Sequence, residues 1–414
     1  MKLTRSQKIF LTLSLLLAMT LRLHAAFTDR SAPQEDALAY DQLAMNLVHG
    51  DGYRDAEGHL TAYRPPLYPV FLAAIYRLTG HSYQNTRIVQ VILSTLTVLF
   101  IGLWAGILFG GWSACWAALI AAVYPAFYAY TYGSSALVTE TLYVFLLIGS
   151  LFGLYQYFVS PHWFTALASG LAMGLAILTR PIPLLLIFYL PVVFLILKYP
   201  ASRIFQYHFF LWLSVGLVLL PWTVRNYLIF KDFVPVATMG GENLYLANHP
   251  GSDGMGGSQG AAASFYEGVF RPQEEMLNSS GKSEPEKSKY FLGKSLEFIR
   301  QHPREALKLF VWKALLYMDP RTVIEREGQE KRIITWPYIF VLGGALASYF
   351  LSRGVPETQR AVLSLFLIFG YFFVCHVFLM SADRYRFPSE PILIVAASFA
   401  CGRFMKWTGE KRFA

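Results

Sequence analysis

Ten long apolar runs constrain this chain more than any other feature. Crossing a bilayer core takes about 20 apolar residues per helix. Runs near that length lie at 8–27, 85–108, 113–131, 136–158, 163–179, 182–198, 205–228, 333–351, 361–380 and 388–404. A backbone in lipid must satisfy its own hydrogen bonds, so these runs are expected to be helices. Only 15% of the residues are charged, against roughly 25% in soluble domains. Aromatics make up 16%, with 33 Phe and 25 Tyr, a composition suited to membrane interiors and interfacial belts. The expected fold is an all-α polytopic membrane protein of about ten transmembrane helices with an extracytoplasmic loop layer. The first run also resembles a secretory signal peptide, with Lys2, Arg5 and Lys8 before it and Ala25-Ala26 at its end. The later runs hold the chain in the membrane whether or not that segment is removed.

Successive spans alternate sides, so one orientation determines the rest. With the N-terminus in the cytoplasm, the cytoplasmic segments hold Lys2, Arg5, Lys8, Lys198, Arg203, Arg353, Arg360, Arg403, Lys406, Lys411 and Arg412. Only Glu357 and Glu410 oppose these eleven cations, and the surplus equals the net charge of +9. Lys- and Arg-rich cytoplasmic loops are the rule in such proteins. The basic balance therefore reports topology, and nucleic acid is not an expected partner. Both termini are expected in the cytoplasm. Three parts follow: 1–228 with a first outer loop at 28–84, a large outer loop at 229–332 with amphipathic helical patterning, and 333–414. In the large loop, Ala306 to Trp312 reads as an amphipathic helix suited to the headgroup plane. The cysteines Cys115, Cys375 and Cys401 sit in apolar runs without metal-ligand spacing.

Ionisable groups are costly inside a membrane, so their positions are informative. Here they gather at the outer ends of the spans: Asp36, Arg64, Glu140, Arg180, Arg225, Asp383, Arg384 and Arg386. Asp36, Tyr40, Leu43 or Ala44, and Leu47 recur at helical spacing in the first loop, with an acid at the head of the stripe. That acid either caps the helix or serves a site. Arg64 precedes Pro65-Pro66, a pair that suits a helix start, and a guanidinium suits bidentate phosphate contact. Glu140 follows Ser134 and Ser135, either of which is placed to cap the span. A semi-buried acid there requires an arginine or a divalent cation beside it. Arg384 and Arg386, separated by one residue, either both reach a phosphate or diphosphate or belong to a loop that carries an ion pair with Asp383. No histidine pair has zinc spacing.

This ordered set resembles the C-type (GT-C) glycosyltransferases. Within that superfamily it is most similar to the bacterial dolichyl-phosphate-mannose protein mannosyltransferase and aminoarabinose transferase group. The resemblance rests on Asp36 in an Asp-x3-Tyr-x3-Ala loop, Arg64-Pro65, Glu140, the stretch Gly240 to Pro250, and Arg384 to Pro388. It implies a polyprenyl-phosphate-linked sugar donor, transfer with inversion on the periplasmic face of a bacterial inner membrane, and a glycan, lipid or protein acceptor. Asp36 matches the first-loop acid taken as general base, and Glu140 the second acid. Arg64 matches a cation that contacts the donor phosphate, with Arg384 and Arg386 joining the clamp. Tyr40, Arg180, Arg225, Asn243, Tyr245 and Asn248 are further candidates for substrate contact. Asp36 and Glu140 are candidate ligands for Mg²⁺ or Mn²⁺. The chain is shorter than many relatives and is expected to lack the separate C-terminal periplasmic domain that often helps choose the acceptor. Two rival classes share parts of the pattern: a flippase for lipid-linked sugars, and an O-antigen polymerase or ligase.

Overall fold

The computed structural model describes residues 3–28, 36–129, 137–255, 281–326 and 329–411. The elements run α1 (Arg5–Thr28), α2 (Asp36–His49), α3 (Leu67–Thr79), α4 (Tyr83–Phe109), α5 (Gly111–Val123), α6 (Pro125–Ala129), α7 (Glu140–Val159), α8 (Trp163–Thr179), α9 (Leu186–Ile196) and α10 (Ala201–Phe230). They continue with α11 (Gly240–Leu246), α12 (Glu284–Gln301), α13 (Pro303–Met318), strands β1 (Arg321–Arg326) and β2 (Gln329–Ile334), then α14 (Trp336–Leu351), α15 (Pro356–Phe378), α16 (Asp383–Arg386) and α17 (Glu390–Lys411). The helical expectation holds, with one antiparallel hairpin, Arg321 opposite Ile334, added in the large loop.

Five of the described helices, α1, α4, α7, α10 and α15, are long and apolar enough to span a membrane, and five shorter apolar helices accompany them. The sequence reading of about ten full runs therefore differs in detail. The run 113–131 breaks at Tyr124, which takes an extended conformation ahead of Pro125 because a residue before proline is pushed out of the helical region. The run 182–198 opens on a 3₁₀ turn over Ile182–Leu184, and α9 begins after it. In the loop expected at 28–84, α3 instead buries Tyr68, Leu72, Ile75 and Tyr76 against the bundle. The candidate caps Ser134 and Ser135 lie outside the described residues. On α10, Phe205, Phe209, Leu213, Leu217, Leu220 and Val224 are exposed. Such a continuous outward apolar face belongs in lipid, and the protein is a multi-pass membrane protein.

Small residues let the spans approach closely, as membrane packing favours. A Cβ on Gly170 of α8 would meet Ser214 of α10 at 2.7 Å, and one on Gly174 would meet Val218 at 2.8 Å. Near the C-terminal end of α1, Arg22 is fully buried. It donates to Ser94 Oγ of α4 at 2.7 Å and to the carbonyls of Ala121 and Ala122, both at 3.1 Å. It thereby caps the C-terminal end of α5, where carbonyls lack helical partners.

The segments between the long helices are tied together by side chains. Glu284, at the start of α12, accepts from Thr61 Oγ1, the Ala62 amide and Thr238 Oγ1 at 2.5, 2.8 and 3.0 Å. Arg225 at the end of α10 donates to the carbonyls of Thr61 and Tyr53. Asp41 of α2 accepts from the hydroxyls of Tyr76 and Tyr83 at 2.6 and 3.0 Å. These ties fasten α2 to α3 and α4, and the stretch from Tyr53 to Ala62 to α10 and α12.

Candidate active site

Asp36 is the first residue of α2, and Arg64 stands just before Pro65-Pro66 and the start of α3. Arg64 Nη2 donates to Asp36 Oδ1 at 2.8 Å. The Tyr40 ring, one turn along α2, lies 4.7 Å from the Arg64 guanidinium carbon, a stacking geometry that favours the cation. Tyr68 packs edge-on against Tyr40 at 5.2 Å. The Asp36–Tyr40 stripe thus forms a platform for Arg64, and Tyr40 is buried beneath it.

Glu140 opens α7 and is fully buried. Its Oε1 accepts from Arg180 Nη2 and Arg384 Nε, both at 2.5 Å. Arg180 is the residue that ends α8, and its Nε donates to Thr139 Oγ1 at 2.7 Å. Arg384 also reaches Asp36 Oδ2 through Nη1 at 3.3 Å. The result is one continuous chain: Arg64, Asp36, Arg384, Glu140, Arg180. It gathers residues from the first loop, the ends of α7 and α8, and the turn before α17.

Three guanidiniums and two carboxylates leave one surplus positive charge. The Asp36 side chain is 41% exposed and the Glu140 side chain 0%, so Asp36 alone of the two acids is open to a substrate. Burial raises the Asp36 pKa, but Arg64 and Arg384 outweigh it and hold the carboxyl below the usual carboxylate range. A cavity of about 710 Å³ opens beside Arg64. Its walls include Ala39 and Leu43 of α2, Tyr63, Glu242 and Glu284.

Several expected site residues sit elsewhere. Arg386 is buried, pairs with Glu390 at 2.6 Å, donates to the carbonyls of Tyr317 and Asp319, and stacks 3.7 Å over Tyr338. Its Nε and Nη1 are engaged within the fold and the side chain is 2% exposed, so it bonds to a different set of partners from Arg384. Arg225 ties α10 to the first loop. Tyr245 is buried against Phe291 and His249. Asn248 is buried and bonds to the carbonyls of Leu244 and Phe378. Asn243 lies on α11, part-buried. Glu140 is fully buried and accepts from both Arg180 and Arg384. No group of three or more His, Cys, Asp or Glu able to hold a metal occurs among the described residues. Asp36 and Glu140 are joined through Arg384, and guanidiniums fill the positions where a hard cation would need several further oxygens. Among the described residues, a divalent cation at Asp36 and Glu140 would have to displace these guanidiniums.

Thr139 and Lys313 escaped sequence reasoning. A threonine beside an acid carries no distinctive pattern. Lys313 had a readable signal, because it interrupts the buried stripe Ala306, Leu309, Leu316, Tyr317 of α13.

Residues 63–225 match the family described as dolichyl-phosphate-mannose-protein mannosyltransferase, a span that includes Arg64, Glu140 and Arg180. No curated protein sequence matches the chain. Among solved structures, the archaeal oligosaccharyltransferase AglB from Archaeoglobus fulgidus, in complex with an inhibitory peptide and a dolichol-phosphate, aligns with a TM-score of 0.61 at 14% identity. The alignment covers 99% of this chain and 51% of that one. The same organism's oligosaccharyltransferase in complex with zinc and sulfate aligns with a TM-score of 0.56 at 16% identity, covering 94% of this chain and 48% of that one. ArnT from Cupriavidus metallidurans aligns at 0.43 and 14% identity, over 95% of this chain and 77% of that one. The fold is the one seen in the archaeal oligosaccharyltransferase, residues 63–225 carry the mannosyltransferase family's sequence pattern, and the chain spans about half the length of the oligosaccharyltransferase it matches.

Proposed function

We propose that this protein is a membrane glycosyltransferase that moves a sugar from a polyprenyl-phosphate donor to an acceptor hydroxyl on the periplasmic face of a bacterial inner membrane. The observation that carries this reading is the charge and exposure of the arginine–carboxylate chain: one surplus positive charge, with a single reachable carboxylate, Asp36, between two arginines. A sugar linked through a phosphodiester brings one negative charge, which the surplus neutralises. Arg64 and Arg384 contact the phosphate oxygens, and Glu140 with Arg180 holds Arg384 in line. As the guanidiniums turn to the phosphate, Asp36 loses its partners and becomes a better base.

The acceptor hydroxyl attacks the anomeric carbon from the face opposite the phosphate. The bond from that carbon to the phosphate oxygen breaks, a bond to the acceptor oxygen forms, and the configuration inverts. The hydroxyl proton passes to Asp36. The leaving polyprenyl phosphate gains a second negative charge while Asp36 loses its own, so the neutrality of the site is preserved throughout. Fixed cations aimed at charge that develops in the transition state typically supply about 10²–10³ in rate each, and a positioned base roughly 10²–10⁴. The cavity beside Arg64 gives a glycan, lipid headgroup or peptide acceptor its approach; pockets of roughly 300–1,000 Å³ suit small-molecule groups.

The test uses purified protein in lipid vesicles with a radiolabelled polyprenyl-phosphate sugar and envelope extract as acceptor. Covalent transfer of label to the acceptor is the expected result. Movement of intact donor between leaflets without transfer would instead establish a flippase.

A further inference from the structure

We propose that Lys313 and Asn248 form a latch that sets the position of Arg384; the role rests on the reading of Arg384 as a donor-phosphate ligand. Lys313 is fully buried on the inner face of α13. Its ammonium donates to Asn248 Oδ1 at 2.8 Å, to the carbonyls of Leu379 and Phe378 at 3.1 and 3.2 Å, and to that of Ala247 at 3.4 Å. Asn248 Nδ2 donates to the same Phe378 carbonyl at 2.9 Å.

These carbonyls lie at the C-terminal ends of α15 and α11, where helix dipoles favour a cation. The chain leaving α15 is then pinned again, because the Ser381 amide donates to the carbonyl of Gly254 at 3.1 Å. Gly254 has φ +79°, and a Cβ there would lie 2.5 Å from Lys313 Cγ, so the loop closes directly over the lysine stem. Within a few residues the chain reaches Ala382, whose carbonyl accepts from the amides of Tyr385 and Arg386 and so starts the turn that presents Arg384.

Among the described residues no carboxylate pairs with the Lys313 ammonium, and burial lowers its pKa to about 7. Mere packing at this position would be met by leucine without that cost. The ammonium instead gathers four oxygens from two segments and fixes where the turn before α17 begins. This also gives the Asn248-His249-Pro250 stretch a part in the site without substrate contact.

The experiment compares Lys313→Met, Asn248→Ala, Arg384→Ala and the Lys313→Met/Arg384→Ala double variant in vesicles. It measures binding of undecaprenyl phosphate, donor KM and kcat, and thermal stability. A misplacement of about 1 Å at a reacting group costs up to roughly 10² in rate. Lys313→Met is expected to lower donor kcat/KM by about 10- to 10²-fold and to weaken lipid-phosphate binding. It should cost almost nothing further once Arg384 is absent, and Asn248→Ala should repeat the pattern should the lysine variant not fold. Losses that multiply in the double variant, or folded single variants with unchanged donor constants, would overturn the latch. If Arg384→Ala weakens lipid-phosphate binding and the two latch variants do not, the latch alone fails; unchanged binding in Arg384→Ala overturns the latch together with the phosphate reading beneath it.

Discussion

Arg384 Nε lies 2.5 Å from Glu140 Oε1, across 244 residues of sequence. The contact joins the turn before the last helix to the start of α7, and its acid is fully buried. A buried acid of this kind holds its arginine in place, so the pair acts as one unit. Glu140→Gln keeps the shape and removes the charge. It is expected to cut donor kcat/KM by about 10- to 10²-fold, and Arg384→Ala by about 10²–10³. Combining the two changes should cost little more than Arg384→Ala alone, as steady-state donor kinetics would show. Fully multiplicative losses would separate the residues.

The pH profile carries a second expectation. Asp36 must be ionised to act as a base, so activity is present above its pKa and lost as pH falls through it. In the free protein, Arg64 and Arg384 outweigh burial and hold that pKa below the usual carboxylate range. The acidic limb of kcat/KM reports the free protein, and that of kcat reports the donor complex. Once the phosphate engages the guanidiniums, the Asp36 pKa rises. The acidic limb of kcat is therefore expected at higher pH than that of kcat/KM. Coincident limbs would show that the arginines stay with Asp36 when the donor binds.

Arg22 yields an expectation about stability. Replacing it by methionine leaves the Ala121 and Ala122 carbonyls without their donor, and each unsatisfied buried group costs about 1–3 kcal/mol. Arg22→Met should lower the thermal midpoint in detergent while leaving donor KM unchanged in the folded fraction. Wild-type stability would mean that α1 is not held by this residue.

Much of this arrangement was legible in the sequence because membranes make charge conspicuous. The apolar runs marked the bundle, and the few ions near their ends included Asp36, Arg64, Glu140, Arg180 and Arg384. What linear order hid was direction. Arg384 and Arg386 are near neighbours, yet α16 turns one toward Asp36 and the other toward Glu390 and Tyr338. The sequence placed Asn248 with the substrate-binding residues, but its side chain turns to Lys313, a partner 65 residues away. Span lengths were misjudged where Pro125 and the prolines near residue 182 break helices that composition alone runs together.

The most direct measurement is sugar transfer by Asp36→Asn, assayed beside donor binding in the same vesicles. The change leaves the size of the side chain nearly intact and removes its charge and basicity. Transfer is expected to fall by at least roughly 10², with polyprenyl-phosphate donor bound as tightly as in the wild type or more tightly, because Arg64 and Arg384 no longer hold a competing anion. Transfer near the wild-type rate would contradict the assignment of Asp36 as the base and with it the mechanism built on this site.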